Sequence, residues 1–325
     1  MKVYTKCSNY ASETCPCILA EAGHCIVCSM CRGEDYCDCS DTLTYCIYQE
    51  LKNNGGKSKD QHNIIRCEIV HEKMINEIYK HLRLKVPRHV VDLLKMPGSF
   101  VFIRKNENAY YDVPISVFLT DMENETIDLI VKIIGVKTEE FKTLEKGDNL
   151  YLRGPYHNGI LGIKDLSRLK KSKAAVICKG IGFIPSLGVI KTLCRDDNEV
   201  TVYLDYGTFS EELMDAFISK CNVNIREISV CDEKGNLTEE MKSVLVNETG
   251  NGCKLIHFGL SDYLLKKSVS FVKDHSSSMM ISNNNNAHMC CGEGICGSCA
   301  VDKDVNTIVH LCKEQIDPYD YITMI

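Results

Sequence analysis

The C-terminal part of the chain carries five cysteines whose spacing points to iron–sulfur chemistry. The run is Cys290-Cys-Gly-Glu-Gly-Ile-Cys-Gly-Ser-Cys299, and Cys312 follows it. Counted from Cys291, the spacing is C-x4-C-x2-C-x12-C, which one class of [2Fe–2S] sites uses. The glycines between the cysteines let the backbone wrap closely, so that its N–H groups can face the sulfurs. A structural zinc site would favour two paired C-x2–4-C hooks, and only one is present. We therefore predict a [2Fe–2S] cluster on Cys291, Cys296, Cys299 and Cys312, with Cys290 left over.

The first 46 residues form a second cysteine-rich module, called the head below. Its Cys25, Cys28 and Cys31 repeat a C-x2-C-x2-C step that is typical of the start of a [4Fe–4S] site, although no cysteine followed by proline completes it. Nine cysteines would suffice for one cluster with spares or for two clusters with one spare, and zinc remains an alternative. Besides Cys7, the candidate ligands are Cys15, Cys17, Cys25, Cys28, Cys31, Cys37, Cys39 and Cys46.

Composition limits the class of protein. A length of 325 residues allows two or three domains, and a net charge of −6 argues against a nucleic-acid partner. The sequence contains no apolar run of membrane-spanning length and no apolar signal-peptide core at Met1. We expect a cytoplasmic protein that is not bound to a membrane, whose twenty cysteines are not paired in disulfides.

Hydrophobic patterns divide the rest of the chain. Residues 52–63 have no apolar pattern and predict a linker. Short alternating segments then predict an antiparallel β-barrel, and strands alternating with helices predict a doubly wound parallel α/β domain. Residues 276–288, rich in serine and asparagine, predict a flexible lead into the last module. The expected domains are a cysteine-rich module at 1–51, a barrel at 64–170, an α/β domain at 171–275 and a cluster domain at 289–325.

The order of barrel, α/β domain and cysteine tail resembles the ferredoxin–NADP reductase superfamily. Within it, the chain is most similar to the electron-transfer subunit of dihydroorotate dehydrogenase and to related sulfide dehydrogenase and NADH-dependent ferredoxin reductase subunits. The resemblance covers residues 64–325 and implies FAD bound on the barrel. Val113-Pro-Ile-Ser-Val117 matches the family's Arg-Pro-x-Ser segment without its arginine, and Gly154-Pro-Tyr-His-Asn-Gly159 matches the turn that closes the barrel. The implied FAD contacts are Pro114, Ile115, Ser116, Val117, Ile130, Val131, Lys132, Gly135, Lys137 and Thr138.

A glycine turn resembles the family's pyridine-nucleotide loop. It runs Lys179-Gly-Ile-Gly-Phe-Ile-Pro185, with a lysine in place of the family's first glycine. Glycines there let backbone N–H groups approach a pyrophosphate at a helix N-terminus. Phe258 stands where the family has a thiol beside the nicotinamide, and we expect it to shield the flavin as an aromatic gate. The residues implied in NAD(P) binding are Gly180, Gly182, Pro185 and Gly207.

The resemblance implies an oxidoreductase subunit that relays electrons between NAD(P)H or ferredoxin, FAD and iron–sulfur clusters. The acceptor would be a partner flavoprotein, which predicts a hetero-oligomer. Hydride transfer to a flavin needs no general acid or base from the protein, so none is assigned. Two alternatives remain open: an electron conduit that does not bind nicotinamide, and a zinc-binding or redox-sensing scaffold.

Overall fold

The computed structural model describes residues 6–39, 45–207, 209, 223–305 and 307–325. Its strands are β1 (Ile64–Met74), β2 (Tyr79–Lys85), β3 (Phe100–Arg104), β4 (Val113–Asp121), β5 (Thr126–Lys132), β6 (Asn149–Tyr156), β7 (Ile160–Leu161), β8 (Lys173–Lys179), β9 (Glu199–Asp205), β10 (Asn224–Glu227), β11 (Cys253–Gly259), β12 (Met280–Asn284), β13 (Ala300–Asp304) and β14 (Thr307–His310). Its α-helices are α1 (Ile18–Glu21), α2 (Ile47–Asn53), α3 (Arg88–Leu93), α4 (Val136–Glu139), α5 (Ile163–Arg168), α6 (Phe183–Arg195), α7 (Glu239–Gly250), α8 (Asp262–His275) and α9 (Pro318–Met324). Short 3-10 turns lie at Met30–Arg32, Glu140–Thr143 and Gly180–Gly182. No helix in these ranges is long and apolar enough to cross a membrane.

The predicted barrel is confirmed. Strands β1 to β6 close in the order β1-β2-β5-β4-β3-β6, with antiparallel neighbours throughout. Alternation along each strand fills the interior with apolar side chains such as Leu82, Leu129 and Leu152. The alternate residues of β3, among them Phe100 and Phe102, therefore lie on the outer surface of the barrel.

The predicted doubly wound domain is also confirmed. Strands β10, β9, β8, β11 and β12 are parallel in that order, and α6 packs on one face of the sheet. Helices α7 and α8 cover the other face. The strand order reverses between β8 and β11, and in folds of this class ligands bind at the carboxyl ends of strands next to such a point.

The asparagine-rich segment is not the flexible lead that its composition suggested. Met280–Asn284 forms β12, which pairs in parallel with β11, and β7 adds antiparallel to its far side. Asn283 and Asn284 are buried, and their neighbours Asn285 and Asn286 donate side-chain hydrogen bonds to backbone carbonyls. The prediction of a flexible segment failed because buried amide side chains can donate hydrogen bonds to backbone carbonyls that have no backbone donor.

The predicted linker is held in place. The backbone N–H of Lys59 donates to the carbonyl of Pro16 (2.9 Å), and that of Ser58 donates to the carboxylate of Glu21 (2.7 Å). Helix α2 extends to Asn53 and so includes the first two residues of this segment. The segment therefore ties the head to β1 instead of separating the two.

One apolar cluster joins the barrel to the α/β domain. Tyr79, Phe118 and Ile130 on the barrel's outer surface pack with residues of α6, such as Phe183 and Leu187. This contact fixes β4 beside the glycine turn that opens α6.

A buried amide fixes the C-terminal segment to the turn that leaves the barrel. Asn158 is fully buried, and its Nδ2 donates to the carbonyls of Leu311 (2.6 Å) and Glu314 (2.8 Å). Its Oδ1 accepts from Nε2 of Gln315 (2.7 Å). Since Leu311 precedes Cys312, this clamp determines where the last cysteine lies.

We expect Asn158→Ala to destabilise the protein, because the carbonyl of Glu314 loses its side-chain donor while that of Leu311 keeps only Asn285, and an unsatisfied buried group costs about 1–3 kcal/mol. Urea unfolding and limited proteolysis after residue 285 would measure the loss. The matched control is Asn247→Ala, on the exposed side of α7. If both variants unfolded at the same urea concentration, the clamp would not carry this role.

Candidate functional site

The four C-terminal cysteines predicted as ligands lie together. The Cys312 thiol is close enough to Cys291 and Cys299 to lower the pKa of each of those thiols, and the same interaction raises the pKa of Cys312. Backbone N–H groups also point at the sulfurs: Glu293 donates to Sγ of Cys291 (3.3 Å), and Cys312 donates to Sγ of Cys299 (3.4 Å).

Four mutually close thiols that accept backbone N–H groups fit the donor set of a [2Fe–2S] cluster. Cys296 completes the set from the exposed edge of the loop, and Cys290 is exposed. Within the described residues, no group of three or more His, Cys, Asp or Glu side chains is arranged to hold a single metal ion.

Glycine brings this cysteine loop, residues 290–299, against the barrel. Gly292 has a φ of +74°, and a Cβ there would lie 2.5 Å from Tyr156 and 2.9 Å from Phe102. Arg153 lies over the Phe102 ring, and its Nη1 donates to the carbonyl of Cys291 (2.8 Å). The first ligand is thereby placed on the outer surface of β3 and β6.

A buried carboxylate links the cysteine loop to three other parts of the chain. Glu293 accepts from the hydroxyl of Tyr156 (2.9 Å), lies 2.9 Å from Nδ1 of His62, and pairs with Nζ of Lys313 (2.9 Å). Burial alone would raise its pKa, but His62 and Lys313 hold it at about 2, so the group is ionised. Sequence analysis missed this network because its contacts join residues up to 231 positions apart and match no motif.

The proposed FAD segment on β4 is divided between two faces. Pro114 and Ser116 pair with Phe102 and Phe100, and paired residues of an antiparallel sheet share a face, so both lie on the outer surface. Pro114 is exposed and Ser116 is half-buried. Ile115 and Val117 pack against the barrel core instead, so that only their backbone can face a ligand.

The second FAD segment, on β5 and α4, is likewise divided. Ile130 and Val131 are buried in the interdomain cluster and the barrel core, respectively. Lys132 and Thr138 are half-buried, while Gly135 and Lys137 are exposed. The Thr138 hydroxyl accepts from the backbone N–H groups of Ile134 (3.1 Å) and Gly135 (3.3 Å), which shapes the turn. The Lys137 ammonium lies 5.4 Å from the centre of the Tyr111 ring.

The glycine turn sits at the reversal point of the sheet and is tightly packed there. A Cβ on Gly182 would lie 2.1 Å from the carbonyl oxygen of Gly259, so no other residue fits without movement. Gly180 and Gly207 both have positive φ and lie against each other, and Pro185 is half-buried in the first turn of α6. The structure thus brings all four proposed NAD(P) residues to one edge of the sheet.

A neutral histidine supports this turn from below. His257 is fully buried between the hydroxyls of Ser282 (2.9 Å) and Ser186 (3.0 Å), and burial lowers its pKa to about 3. Ser186 and Asn284 both donate to the carbonyl of Gly182 (2.8 and 2.7 Å). The network fixes the turn and carries no net charge at neutral pH.

Two side chains beside the turn have other partners than expected. Phe258 is fully buried in the core on the face of the sheet opposite α6, so its predicted role as a gate over the flavin is wrong. Side chains alternate along β11, and His257 takes the face toward the turn. Lys179, in the place of the family's first glycine, forms an ion pair with Asp205 at the end of β9.

The head holds most of its cysteines in its interior. Cys15, Cys17, Cys25, Cys28 and Cys31 are buried, Cys7 and Cys39 are half-buried, and Cys37 and Cys46 are exposed. The thiols of Cys28 and Cys31 contact each other, as do those of Cys37 and Cys39. The interior of the head therefore consists largely of thiols, with Ala20 and Ile47 among its few other buried apolar residues.

Comparisons with known proteins agree with this architecture, although no family model matches the chain. A dihydroorotate dehydrogenase B (NAD(+)) electron transfer subunit of Streptococcus pneumoniae is 27% identical over 223 residues, which cover 67% of this chain and 84% of that protein. A probable subunit of the same name from Methanocaldococcus jannaschii is 28% identical over 177 residues, or 53% of this chain and 63% of that protein.

Two solved structures share the fold. The structure of NADH-dependent reduced ferredoxin–NADP oxidoreductase, from work on flavin-based electron bifurcation, superimposes with a TM-score of 0.60 at 20% identity, covering 78% of this chain and 88% of that one. The ferredoxin reductase in carbazole 1,9a-dioxygenase gives a TM-score of 0.51 at 13% identity, covering 68% of this chain and 69% of that one.

Two glycines of the cysteine loop allow a controlled test of its docking. Gly292 and Gly297 have φ values of +74° and +72°, but only Gly292 has neighbours where a Cβ would stand. Each alanine substitution costs about 1–2 kcal/mol of left-handed backbone strain. Gly292→Ala should cost more than Gly297→Ala, because it also drives the loop off Tyr156. Equal losses in the free energy of unfolding would contradict the packing role.

Proposed function

We propose that this chain, a member of the ferredoxin–NADP reductase superfamily and a homologue of dihydroorotate dehydrogenase electron-transfer subunits, is an iron–sulfur flavoprotein. It passes electrons from NAD(P)H or ferredoxin, through FAD and a [2Fe–2S] cluster, to a partner oxidoreductase. When bound, FAD supplies the conversion of a two-electron hydride into single electrons, which iron–sulfur centres accept one at a time.

One observation carries the proposal: β4, the strand proposed to bind the flavin, lies between the glycine turn and the cysteine loop. These are the two sites that must exchange electrons with the flavin. On one side, Phe118 of β4 contacts α6, whose first residues follow the glycine turn. On the other side, Pro114 pairs with Phe102, which Gly292 of the cysteine loop contacts. Neighbouring strands are about 4.8 Å apart, so a flavin on the outer surface of β4 would lie within two strands of the first cluster ligand.

The residues proposed to bind FAD and NAD(P) around β4 have distinct roles. Pro114 and Ser116 would contact FAD from the outer surface, together with the backbone at Ile115 and Val117. Lys132 and Lys137 would supply positive charge to its pyrophosphate near Gly135 and Thr138, in place of the family's arginine. Gly180, Gly182, Pro185 and Gly207 would surround the pyrophosphate of a bound NAD(P), facing the first N–H groups of α6.

A second candidate is an electron conduit that does not bind nicotinamide, and the glycine turn favours it. Gly182 and Gly259 fill the reversal point with their own backbone atoms, and Asp205 neutralises Lys179. Ferredoxin or the partner would then be the donor. Titration of the purified chain with NADH and NADPH separates the two candidates. Only a chain that binds nicotinamide should lose its flavin absorbance at once when either nucleotide is added.

The exposed edge of the cysteine loop is the proposed contact with the partner. Ile295 is 60% exposed, Ile308 on β14 is 58% exposed, and Cys296 lies at the surface beside Ile295. A large exposed apolar side chain beside a redox centre suits a docked protein, so we propose that the chain works in a hetero-oligomer. The head extends the relay with a further iron–sulfur centre, proposed as [4Fe–4S], for which a subset of its cysteines supplies the ligands.

The test compares Cys296→Ser with its neighbour Cys290→Ser in anaerobically purified protein. Cys296→Ser should lose the iron of the C-terminal centre and its rhombic one-electron signal while FAD remains bound. Cys290→Ser, a thiol outside the ligand set, should keep both. Unmodified chain without FAD, or a Cys296→Ser variant with unchanged iron, would contradict the proposal.

A further inference from the structure

A lysine is buried completely between the two cysteine modules. Lys313, directly after Cys312, has no exposed surface, and its Nζ lies 2.9 Å from Oε2 of Glu293. Neither of these two atoms has a hydrogen bond of normal geometry within the described residues. An ammonium group is costly to bury, so its remaining N–H groups need negative charge nearby.

Glu293 supplies one negative charge, so the ammonium group and the carboxylate form a buried ion pair. The head lies close to this pair, because Cys7 stands opposite Glu314, the residue that follows Lys313. Lys313 thus lies between the start of the head and the C-terminal cysteine loop.

Backbone contacts hold the two modules together at this point. The N–H of Ser8 donates to the carbonyl of Lys313 (2.8 Å), and the N–H of Gln315 donates to the carbonyl of Lys6 (2.7 Å), so Cys7 lies opposite Glu314 as in an antiparallel strand pair. A Cβ on Gly294 would lie 3.0 Å from Leu19 of the head. The head is therefore in direct contact with the C-terminal cysteine loop.

Four thiols of the head surround one small cavity beside this contact. Cys7, Cys15, Cys17 and Cys25 line it together with apolar side chains such as Leu19 and Ile47. Cys28 and Cys31 lie beside Cys25 in the same buried cluster, where the N–H of Cys28 donates to Sγ of Cys25 (3.4 Å), but neither of them lines the cavity. Cys46 is exposed and lines no part of the cavity.

We propose that Cys7, Cys15, Cys17 and Cys25 ligate an iron–sulfur centre at this cavity, and that Lys313 is the cation it shares with the C-terminal centre. The proposal rests on the proposed function, since it needs that centre as electron donor or acceptor. The step is the transfer of one electron: the reduced C-terminal centre loses it and the head centre gains it, with no bond or proton exchanged. Zinc also binds four thiolates, but the contact of the head with the cysteine loop favours a centre of iron and sulfide.

The shared cation makes a specific prediction about potentials. A buried positive charge stabilises the more negative, reduced state of any centre beside it, so its removal makes reduction harder. Lys313→Met should shift the midpoint potentials of both centres to more negative values. We expect at least a tenfold change in the ratio of reduced to oxidised centre, which is about 59 mV for a one-electron couple.

A surface lysine at the same interface provides the matched control. Lys6 lies 3.7 Å from Glu314, but its side chain is 57% exposed, so solvent screens its charge. Lys6→Met should leave both potentials unchanged. Because loss of one partner of a buried ion pair can prevent folding, the double variant Lys313→Met/Glu293→Gln is compared with Glu293→Gln, so that the two proteins differ only in the charge of Lys313; the double variant should have the more negative potentials.

The ligand assignment is tested separately in the full chain by iron and sulfide content and by the spectra of the reduced protein. Cys7→Ser and Cys17→Ser should each lose the iron of one cluster and keep the rhombic C-terminal signal. Cys46→Ser should keep all the iron. Zinc in the head, equal iron loss in Cys46→Ser and Cys7→Ser, or potentials that do not respond to Lys313 would overturn the inference.

These outcomes differ from failure of the proposed function. A chain with FAD and the C-terminal signal, but without iron in the head, would refute only the head centre. A chain that lacks FAD and the C-terminal signal would refute the electron relay itself, whatever the head binds.

Discussion

The arrangement depends on the close contact of Gly292 with the aromatic pair on the outside of the barrel. Because residue 292 has no side chain, the cysteine loop can lie on Tyr156 and Phe102 while Arg153 holds the carbonyl of Cys291. The same loop meets the head through Gly294, where a Cβ would lie 3.0 Å from Leu19. Every proposed electron path therefore passes through a few residues whose positions are set by packing.

Much of the fold and of the C-terminal cysteine site could be predicted from the sequence, because both depend on local patterns of residues. Cysteine spacing indicated which four C-terminal thiols come together, and alternation indicated the barrel and the parallel sheet. The contacts of His62 with Glu293, of Arg153 with Cys291 and of Asn158 with Leu311 could not be predicted, since each joins residues more than 130 positions apart. The burial of Asn283 and Asn284 could not be predicted, because composition does not show which backbone carbonyls lack a hydrogen-bond donor.

Strand parity explains why the expected aromatic gate is absent from the glycine turn. On β11, His257 faces the turn, so Phe258 must face the opposite core. The turn is held by a network of neutral polar groups, and its outer lysine is paired with Asp205. This leaves the region without net charge, which suits close backbone approach more than the capture of an anion by side chains.

The most direct test of the account is whether an electron passes from flavin to the C-terminal centre within one molecule. A light flash in the presence of a sacrificial donor can reduce the flavin, and the absorbance of the iron–sulfur centre can then be followed. We predict that bleaching of the centre follows that of the flavin at a rate independent of protein concentration, and that Cys296→Ser abolishes this phase. A rate proportional to protein concentration would place the two groups too far apart for the relay and would contradict the account.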